Sequence, residues 1–198
     1  IASVDFDMTD LDGSVSGEAD SQTLVAYATT SEGTAVLRSE NLVDWQAEAV
    51  PTQKPLFAVD VVDGDSVLAV GGSGTILRRE AGQWVSEESN TTGALLDVHG
   101  LGPGWAAAAG EAGLVRFYAG TGWSGPEPLT RSLLVDVQAL PDGTVYALGS
   151  DGQVLRNDGQ NWYVETQLDG ARFSALWGED EYQLFVVGSI DGEHGAVW

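Results

Sequence analysis

The stretch that decides the fold is residues 132–166, SLLVDVQALPDGTVYALGSDGQVLRNDGQNWYVET. It contains four short runs rich in apolar and β-branched side chains, and Gly, Asp and Asn separate one run from the next. Runs of this kind between turn residues are typical of β-hairpins. No window of the chain sustains apolar residues at the i, i+3, i+4 spacing of a helix. The stretch therefore predicts a four-stranded antiparallel sheet.

The same pattern recurs along the chain with a period of about 39 residues. Tryptophan marks the period at Trp45, Trp84, Trp123 and Trp162. Glycine keeps the period in two further registers, at Gly71, Gly110, Gly149 and Gly188 and at Gly74, Gly113 and Gly152. Four short antiparallel strands in a repeat of this length predict a β-propeller blade. A chain of 198 residues holds about five such units, so we expect an all-β, five-bladed β-propeller.

We expect the chain, residues 1–198, to be a single propeller domain closed on itself. The predicted repeats are 14–54, 55–93, 94–132, 133–171 and 172–198 plus 1–13. The last unit contains only three strand-like runs, while Ile1–Met8 reads as an alternating strand before the first unit. Pairing of this N-terminal strand with the last blade would close the ring and remove a free sheet edge. The alternative is an open piece of a larger propeller.

Composition excludes several classes of function. There are 30 acidic and 8 basic side chains, for a formal net charge of −22, so we expect no nucleic-acid binding. Cysteine is absent, which excludes disulfides and thiolate chemistry, and no run of 18 apolar residues predicts a membrane span. The acidic excess is typical of salt-adapted proteins, or alternatively steers the protein towards a basic partner.

The repeat unit is clearest in residues 135–162. Its pattern is Leu-x-Asp-Val, then Tyr-Ala-x-Gly-x-x-Gly-x-Val-Leu-Arg, then Gly-x-x-Trp. It resembles the repeats of photosystem II assembly-factor-like and BNR (Asp-box) propellers. Leu37–Trp45 (LRSENLVDW) looks like a degenerate Asp-box, a turn that joins the third and fourth strands in that family. It is also similar to a turn of five-bladed glycoside hydrolases. The resemblance implies a propeller, but such repeats occur in glycan-binding proteins, sialidases, sorting receptors and assembly factors alike.

Few residues suit catalysis. The two histidines, His99 and His194, lie far apart in sequence, and no nucleophile motif accompanies them. Asp97 and His99 are two residues apart on one strand and so share a side. Because Asp97 and Asp136 obey the same repeat period, we interpret them as carboxylates that cap neighbouring backbone N–H groups. A pair of carboxylates for glycoside hydrolysis, drawn from Asp60, Asp97 and Asp136, stays an alternative.

A further set of positions one repeat apart holds a different residue type in each unit. It consists of Asp60, His99, Gln138 and Trp177, each one repeat after the last and near the end of the innermost strand of its unit. Positions that vary among polar and aromatic residues are typical either of exposed drift or of a binding site. We select these four residues as the candidate ligand-binding site, at one mouth of the central channel.

Two further features have both a structural and a functional interpretation. Asp7, Asp10 and Asp12 belong to an acidic N-terminal segment and are weak candidates for a calcium site; otherwise we expect no cofactor. The periodic tryptophans are interpreted mainly as packing residues between blades, with sugar-stacking platforms as the alternative.

These features favour a non-catalytic binding or scaffold module acting in protein–protein interaction. Short connections and the scarcity of catalytic side chains support this prediction over an enzyme. A lectin-like glycan-binding module is the first alternative, and a carbohydrate-active hydrolase of the five-bladed type is the second. We expect a protein or glycan partner and an extracellular, periplasmic or cell-surface location.

Overall fold

The computed structural model describes residues 8–16, 23–30, 35–63, 66–102, 104–125, 128–180, 183–191 and 194–197. These residues form five antiparallel sheets in sequence order, which we call blades 1 to 5. Besides strands, they contain two single 3-10 turns, Gly72–Gly74 and Glu111–Gly113. Across these ranges there is no helix long and apolar enough to cross a membrane.

Four of the blades have four strands. Blade 1 contains β1 (Met8–Ser16), β2 (Thr23–Thr30), β3 (Ala35–Ser39) and β4 (Trp45–Ala49). Blade 2 contains β5 (Leu56–Asp63), β6 (Ser66–Gly71), β7 (Ile76–Glu80) and β8 (Gln83–Glu87). Blade 3 contains β9 (Leu95–Gly102), β10 (Trp105–Gly110), β11 (Val115–Tyr118) and β12 (Trp123–Ser124). Blade 4 contains β13 (Leu134–Ala139), β14 (Val145–Gly149), β15 (Gln153–Asn157) and β16 (Trp162–Gln167).

Blade 5 has three described strands, β17 (Ala171–Asp180), β18 (Gln183–Ile190) and β19 (His194–Val197). Each strand pairs with the next along the chain, as expected for short hairpin connections. The first strands pack on one another in the order β1, β5, β9, β13, β17, so we call them the inner strands. The prediction of all-β, four-stranded repeat units is confirmed.

The ring closure that the sequence predicts is wrong for the described residues. They contain no packing of β17 on β1 comparable to that between the other inner strands, so the five sheets do not form a closed propeller. Met8 begins β1 and pairs with Thr30 of blade 1 rather than with blade 5. The rest of the proposed closing strand, residues 1–7, lies outside the described residues.

The two glycine registers have different physical causes. A Cβ at Gly71 would collide with the backbone carbonyl of Pro55, and one at Gly110 with that of Ala94. At both places the end of the second strand of the blade pairs with the start of the first. Gly74 and Gly113 adopt positive φ angles of 71° and 73° in the turn that follows. Such angles suit glycine because it has no Cβ. The periodic glycines are therefore required by the close approach of two strands in one register and by the turn conformation in the other.

The core is divided among the contacts between successive blades, which we call seams. The alanine run of β10 shows how one strand serves two seams, because alternate side chains of a strand point to opposite faces. Ala106 and Ala108 pack against blade 2, whereas Ala107 and Ala109 pack against blade 4. The four alanines of β10 are therefore part of two different seams.

Candidate functional site

The inner strands carry the predicted site residues in one line. Asp60, His99, Gln138 and Trp177 come from β5, β9, β13 and β17 in turn. Asp12 of β1 belongs to the same line. Its Oδ2 accepts a hydrogen bond from the backbone N–H of Val61 at 2.7 Å, and Asp60 Oδ2 accepts one from Gly100, one repeat further along, at 3.0 Å. We call these five residues the inner row.

Three successive members of the inner row, from blades 2, 3 and 4, contact one another. His99 Nδ1 lies 3.7 Å from Asp60 Oδ1, and His99 Nε2 lies 3.3 Å from Gln138 Nε2. Gln138 is buried, and its amide also donates to the carbonyl of Ala139 at 3.1 Å. These three side chains therefore form a packed polar chain between blades 2, 3 and 4.

Trp177 is placed differently. It is half exposed and stacks on Phe185 of β18, with ring centroids 5.9 Å apart and ring planes inclined by 30°. No hydrogen bond or ring contact joins it to Gln138 or His99 in the part of the chain that the structure describes. The structure thus brings three of the four predicted residues together. The fourth, Trp177, lies on the face of blade 5 that points away from blade 4, which we call the outer side of blade 5.

A second line of carboxyl groups lies two residues before the inner row on the same strands. The backbone N–H of Val137 donates to Asp97 Oδ2 at 2.7 Å, and that of Leu176 donates to Asp136 Oδ2 at 2.9 Å. Asp10 accepts in the same way from Val59 of blade 2, also at 2.9 Å. Each carboxyl group joins one blade to the next through a hydrogen bond that it accepts from a backbone N–H. The interpretation of the Asp97 and Asp136 register as backbone caps is confirmed.

Burial perturbs these acids. Burial, with the negative charges of Asp12 and Asp10 adding to it, raises the pKa of Asp60 to about 7, against the lowering effect of the Gly100 N–H. Burial also raises the pKa of Asp97 well above its usual value, and the charge of the neighbouring Asp136 raises it further. The cause is that a carboxylate loses hydration inside the protein and is then less stable than the neutral acid.

The pKa of Asp136 is raised by burial too, while the hydrogen bonds that it accepts act in the opposite direction. Burial lowers the pKa of the His99 imidazole, although Asp12 opposes the effect, so we expect a neutral ring at pH 7. Perturbed acids of this kind occur at active sites and also at structural contacts. Here the three aspartates use an oxygen each to hold a neighbouring backbone in place.

Two of the three calcium candidates lie in the described residues, where they bind backbone N–H groups. Asp10 and Asp12 each accept a backbone N–H of blade 2, and Asp7 lies outside the described residues. Within the described ranges, no group of three or more His, Asp or Glu side chains is arranged to hold a metal ion. The calcium site stays a prediction without support from these residues.

Two of the periodic tryptophans are seam residues. Trp84 Nε1 donates to Glu48 Oε2 of blade 1 at 2.8 Å, and Trp123 Nε1 donates to Glu87 Oε2 of blade 2 at 2.6 Å. Both rings are buried, so their predicted packing role is confirmed. Sequence reasoning missed their partners, although Glu48 and Glu87 are also one repeat apart.

Trp162, at the next seam, lines an open cavity of about 310 Å³ instead. Trp105 and Phe117 of blade 3 form its other aromatic walls, and Asn157 and Gln160 of blade 4 provide amide groups. The Phe117 ring lies 6.0 Å from Trp105 and 6.1 Å from Trp162, nearly parallel to the latter at 28°. We call this cavity the aromatic cleft.

No protein-family model matches the sequence, and no curated protein matches it either. Solved structures do match. YCF48 from Cyanidioschyzon merolae is 17% identical with a TM-score of 0.67, over 96% of this chain and 70% of that one. A structure of YCF48 bound to D1 peptide is 16% identical with a TM-score of 0.66, over 87% of this chain and 59% of that one.

A streptogramin B lyase structure is 11% identical with a TM-score of 0.71, over 93% of this chain and 63% of that one. The chain thus spans between 59% and 70% of the length of these three neighbours. The neighbours include binding proteins and an enzyme, and a likeness at such low identity concerns the fold and not the activity. In fold, the protein is similar to β-propellers.

Proposed function

We propose that the protein is a non-catalytic scaffold that binds a protein partner through the outer side of blade 5. The observation that carries the proposal is the exposed aromatic stack of Trp177 and Phe185, flanked by Val187 and Val197. We call these four residues the end face. Aromatic side chains held on a rigid sheet are the residues that contribute most to protein–protein binding. An apolar patch of this kind is typical of interaction surfaces.

Two further points support the proposal. One of the structural neighbours, YCF48, has a structure bound to D1 peptide, so a propeller of similar fold holds a polypeptide. The perturbed carboxylates Asp60, Asp97 and Asp136 each accept a backbone hydrogen bond, which gives them a structural role without any catalysis. The proposal includes the extracellular, periplasmic or cell-surface location that we expect for such a module.

Affinity capture with matched variants tests the proposal. The immobilised wild-type protein, Trp177→Ala and Tyr163→Ala are exposed to an extract of the organism that produces the protein, and bound proteins are quantified by mass spectrometry. Tyr163 is a matched control, because it is an exposed aromatic residue on β16 away from the end face. We expect a partner that the wild type and Tyr163→Ala retain equally and that Trp177→Ala retains at least tenfold less.

Equal capture by all three proteins would overturn the end-face proposal. A glycan array run on the same proteins separates the lectin alternative. Specific glycan binding that disappears in Trp177→Ala would replace the protein-scaffold proposal with a lectin.

A further inference from the structure

The first two seams share a charged arrangement that the third lacks. At the seam of blades 1 and 2, Arg79 and Glu48 form a two-point ion pair with N–O distances of 2.8 and 3.0 Å. At the seam of blades 2 and 3, the guanidinium of Arg78 pairs with Glu87 of its own blade at 2.6 Å and lies 4.2 Å above the ring centroid of Tyr118 of blade 3. The second seam therefore buries a cation stacked on an aromatic ring.

The periodicity identifies what replaces these groups at the seam of blades 3 and 4. Phe117 stands one repeat after Arg78, and Asn157 stands one repeat after Tyr118. No ion pair crosses this seam in the ranges that the structure describes. The exchange removes the cation and leaves the aromatic cleft open.

One residue of the aromatic cleft keeps the identity of its counterparts but lacks their hydrogen-bond partner. Trp162 occupies the position of Trp84 and Trp123, yet its Nε1 makes no hydrogen bond among the described residues. Arg156, the arginine nearest in sequence, interacts with Tyr146. Tyr146 packs against blade 5, so that contact lies on the opposite side of blade 4 from the aromatic cleft.

Charge decides which ligand suits this site. Asp158 lies in the turn between Asn157 and Gly159, and the backbone N–H groups of Asn161 and Gln160 donate to it at 2.9 Å each. These hydrogen bonds hold the pKa of Asp158 below its usual value, so it is negative at neutral pH. The whole chain has a formal net charge of −22, which repels anions and attracts cations.

We propose that the aromatic cleft between blades 3 and 4 binds an arginine side chain of a partner protein. The guanidinium stacks on the rings of the aromatic cleft as Arg78 stacks on Tyr118 one seam earlier. The side-chain oxygen of Gln160 is an acceptor for its N–H groups, and so is the second lone pair of Asn157 Oδ1, which already accepts the backbone N–H of Gly159 at 2.7 Å. This inference deepens the proposed scaffold function and rests on it, since it names a second contact and the chemistry of the partner.

An NMR titration of the tryptophan indole N–H signals tests the inference. The probe is the capped tripeptide acetyl-Gly-Arg-Gly-amide, and the matched control is the same peptide with citrulline, which has the shape of arginine without its charge. We expect the Trp105 and Trp162 signals to shift with the arginine peptide and to stay unchanged at the same concentration of the citrulline peptide. Trp162→Ala should weaken binding about tenfold, whereas Trp177→Ala should leave it unchanged.

Two results would overturn the inference: no shift of these signals with the arginine peptide, or equal shifts with both peptides. Shifts with a saccharide alone would assign the aromatic cleft to a glycan. Because Trp177→Ala disrupts the end face and not the aromatic cleft, the two proposals fail separately. Phe117→Leu, which keeps an apolar side chain at the seam, checks that lost binding comes from the lost ring rather than from misfolding.

Discussion

Equivalent apolar positions of blade 4 and blade 5 are buried in blade 4 and exposed in blade 5. Tyr146, Leu148 and Val154 of blade 4 are 4%, 0% and 4% exposed because blade 5 covers them. Their counterparts in blade 5 are Phe185, Val187 and Val197, which are 46%, 38% and 68% exposed.

The equivalence follows from the repeat period and from the pairing. Val187 pairs with Val197 as Leu148 pairs with Val154. Equally apolar side chains on similar strands are thus core on one blade and surface on the next. The presence of a neighbouring sheet, and not the residue type, decides between the two.

The largest expected effect comes from removing a covered side chain. Leu148→Ala leaves a cavity at the seam of blades 4 and 5, and we expect it to lower the free energy of unfolding by about 2–5 kcal/mol. Urea unfolding followed by tryptophan fluorescence measures this. Val187→Ala, at the uncovered counterpart, should change it by less than about 0.5 kcal/mol. Equal losses in the two variants would mean that blade 5 is covered in solution.

The second effect concerns the acids that join covered blades. The Asp60 carboxyl has a pKa of about 7 in the folded protein and near 3.8 in the unfolded chain. Between these pH values only the folded state holds the proton, so the free energy of unfolding falls as pH rises, by up to about 4 kcal/mol. Asp60→Asn mimics the protonated acid and should flatten this slope in urea titrations from pH 4 to pH 8.

Asp191→Asn is the matched control for that experiment, because it makes the same change of charge at an exposed position. The slope of the control should equal that of the wild type. An unchanged slope in Asp60→Asn would show that this carboxyl titrates normally.

The smallest and most closely matched comparison uses one residue type. Val154→Ala and Val197→Ala remove the same two methyl groups from equivalent positions of blades 4 and 5. Val154 is covered by blade 5, whereas Val197 is exposed. We expect losses of about 2 kcal/mol and less than about 0.5 kcal/mol, because only the first change leaves a cavity. Thermal unfolding measures both. A loss of similar size at Val197 would mean that an oligomer or a further segment buries it.

Much of the local structure was predictable. The four runs predicted in residues 132–166 are the four strands β13 to β16, because each run ends at turn residues that suit the hairpins. The period also identified Asp97 and Asp136 as structural carboxylates, and both accept the backbone hydrogen bonds that this role requires.

The candidate site was predictable only in part. The register of Asp60, His99 and Gln138 brings them together, whereas Trp177 stacks on Phe185 of its own blade, on a face that no further blade covers in the described residues. The aromatic cleft was not predicted, since Trp162 looks identical to Trp84 and Trp123 in the pattern. The signal that could have found it is that Phe117 stands one repeat after Arg78 and Asn157 one repeat after Tyr118. These positions do not belong to the tryptophan or glycine series, so the period did not draw attention to them.

The sequence by itself determined the strands, the turns, the repeat and the negative charge, because hairpins and periodicity depend on residues close together in the chain. The tertiary structure alone decided which apolar side chains are buried, which aspartates have a raised pKa and where the aromatic cleft opens. These properties depend on residues about 40 positions apart, such as Asp60 and Gly100. Burial and hydration are set by what packs against a group, and that is known only when the blades have been placed.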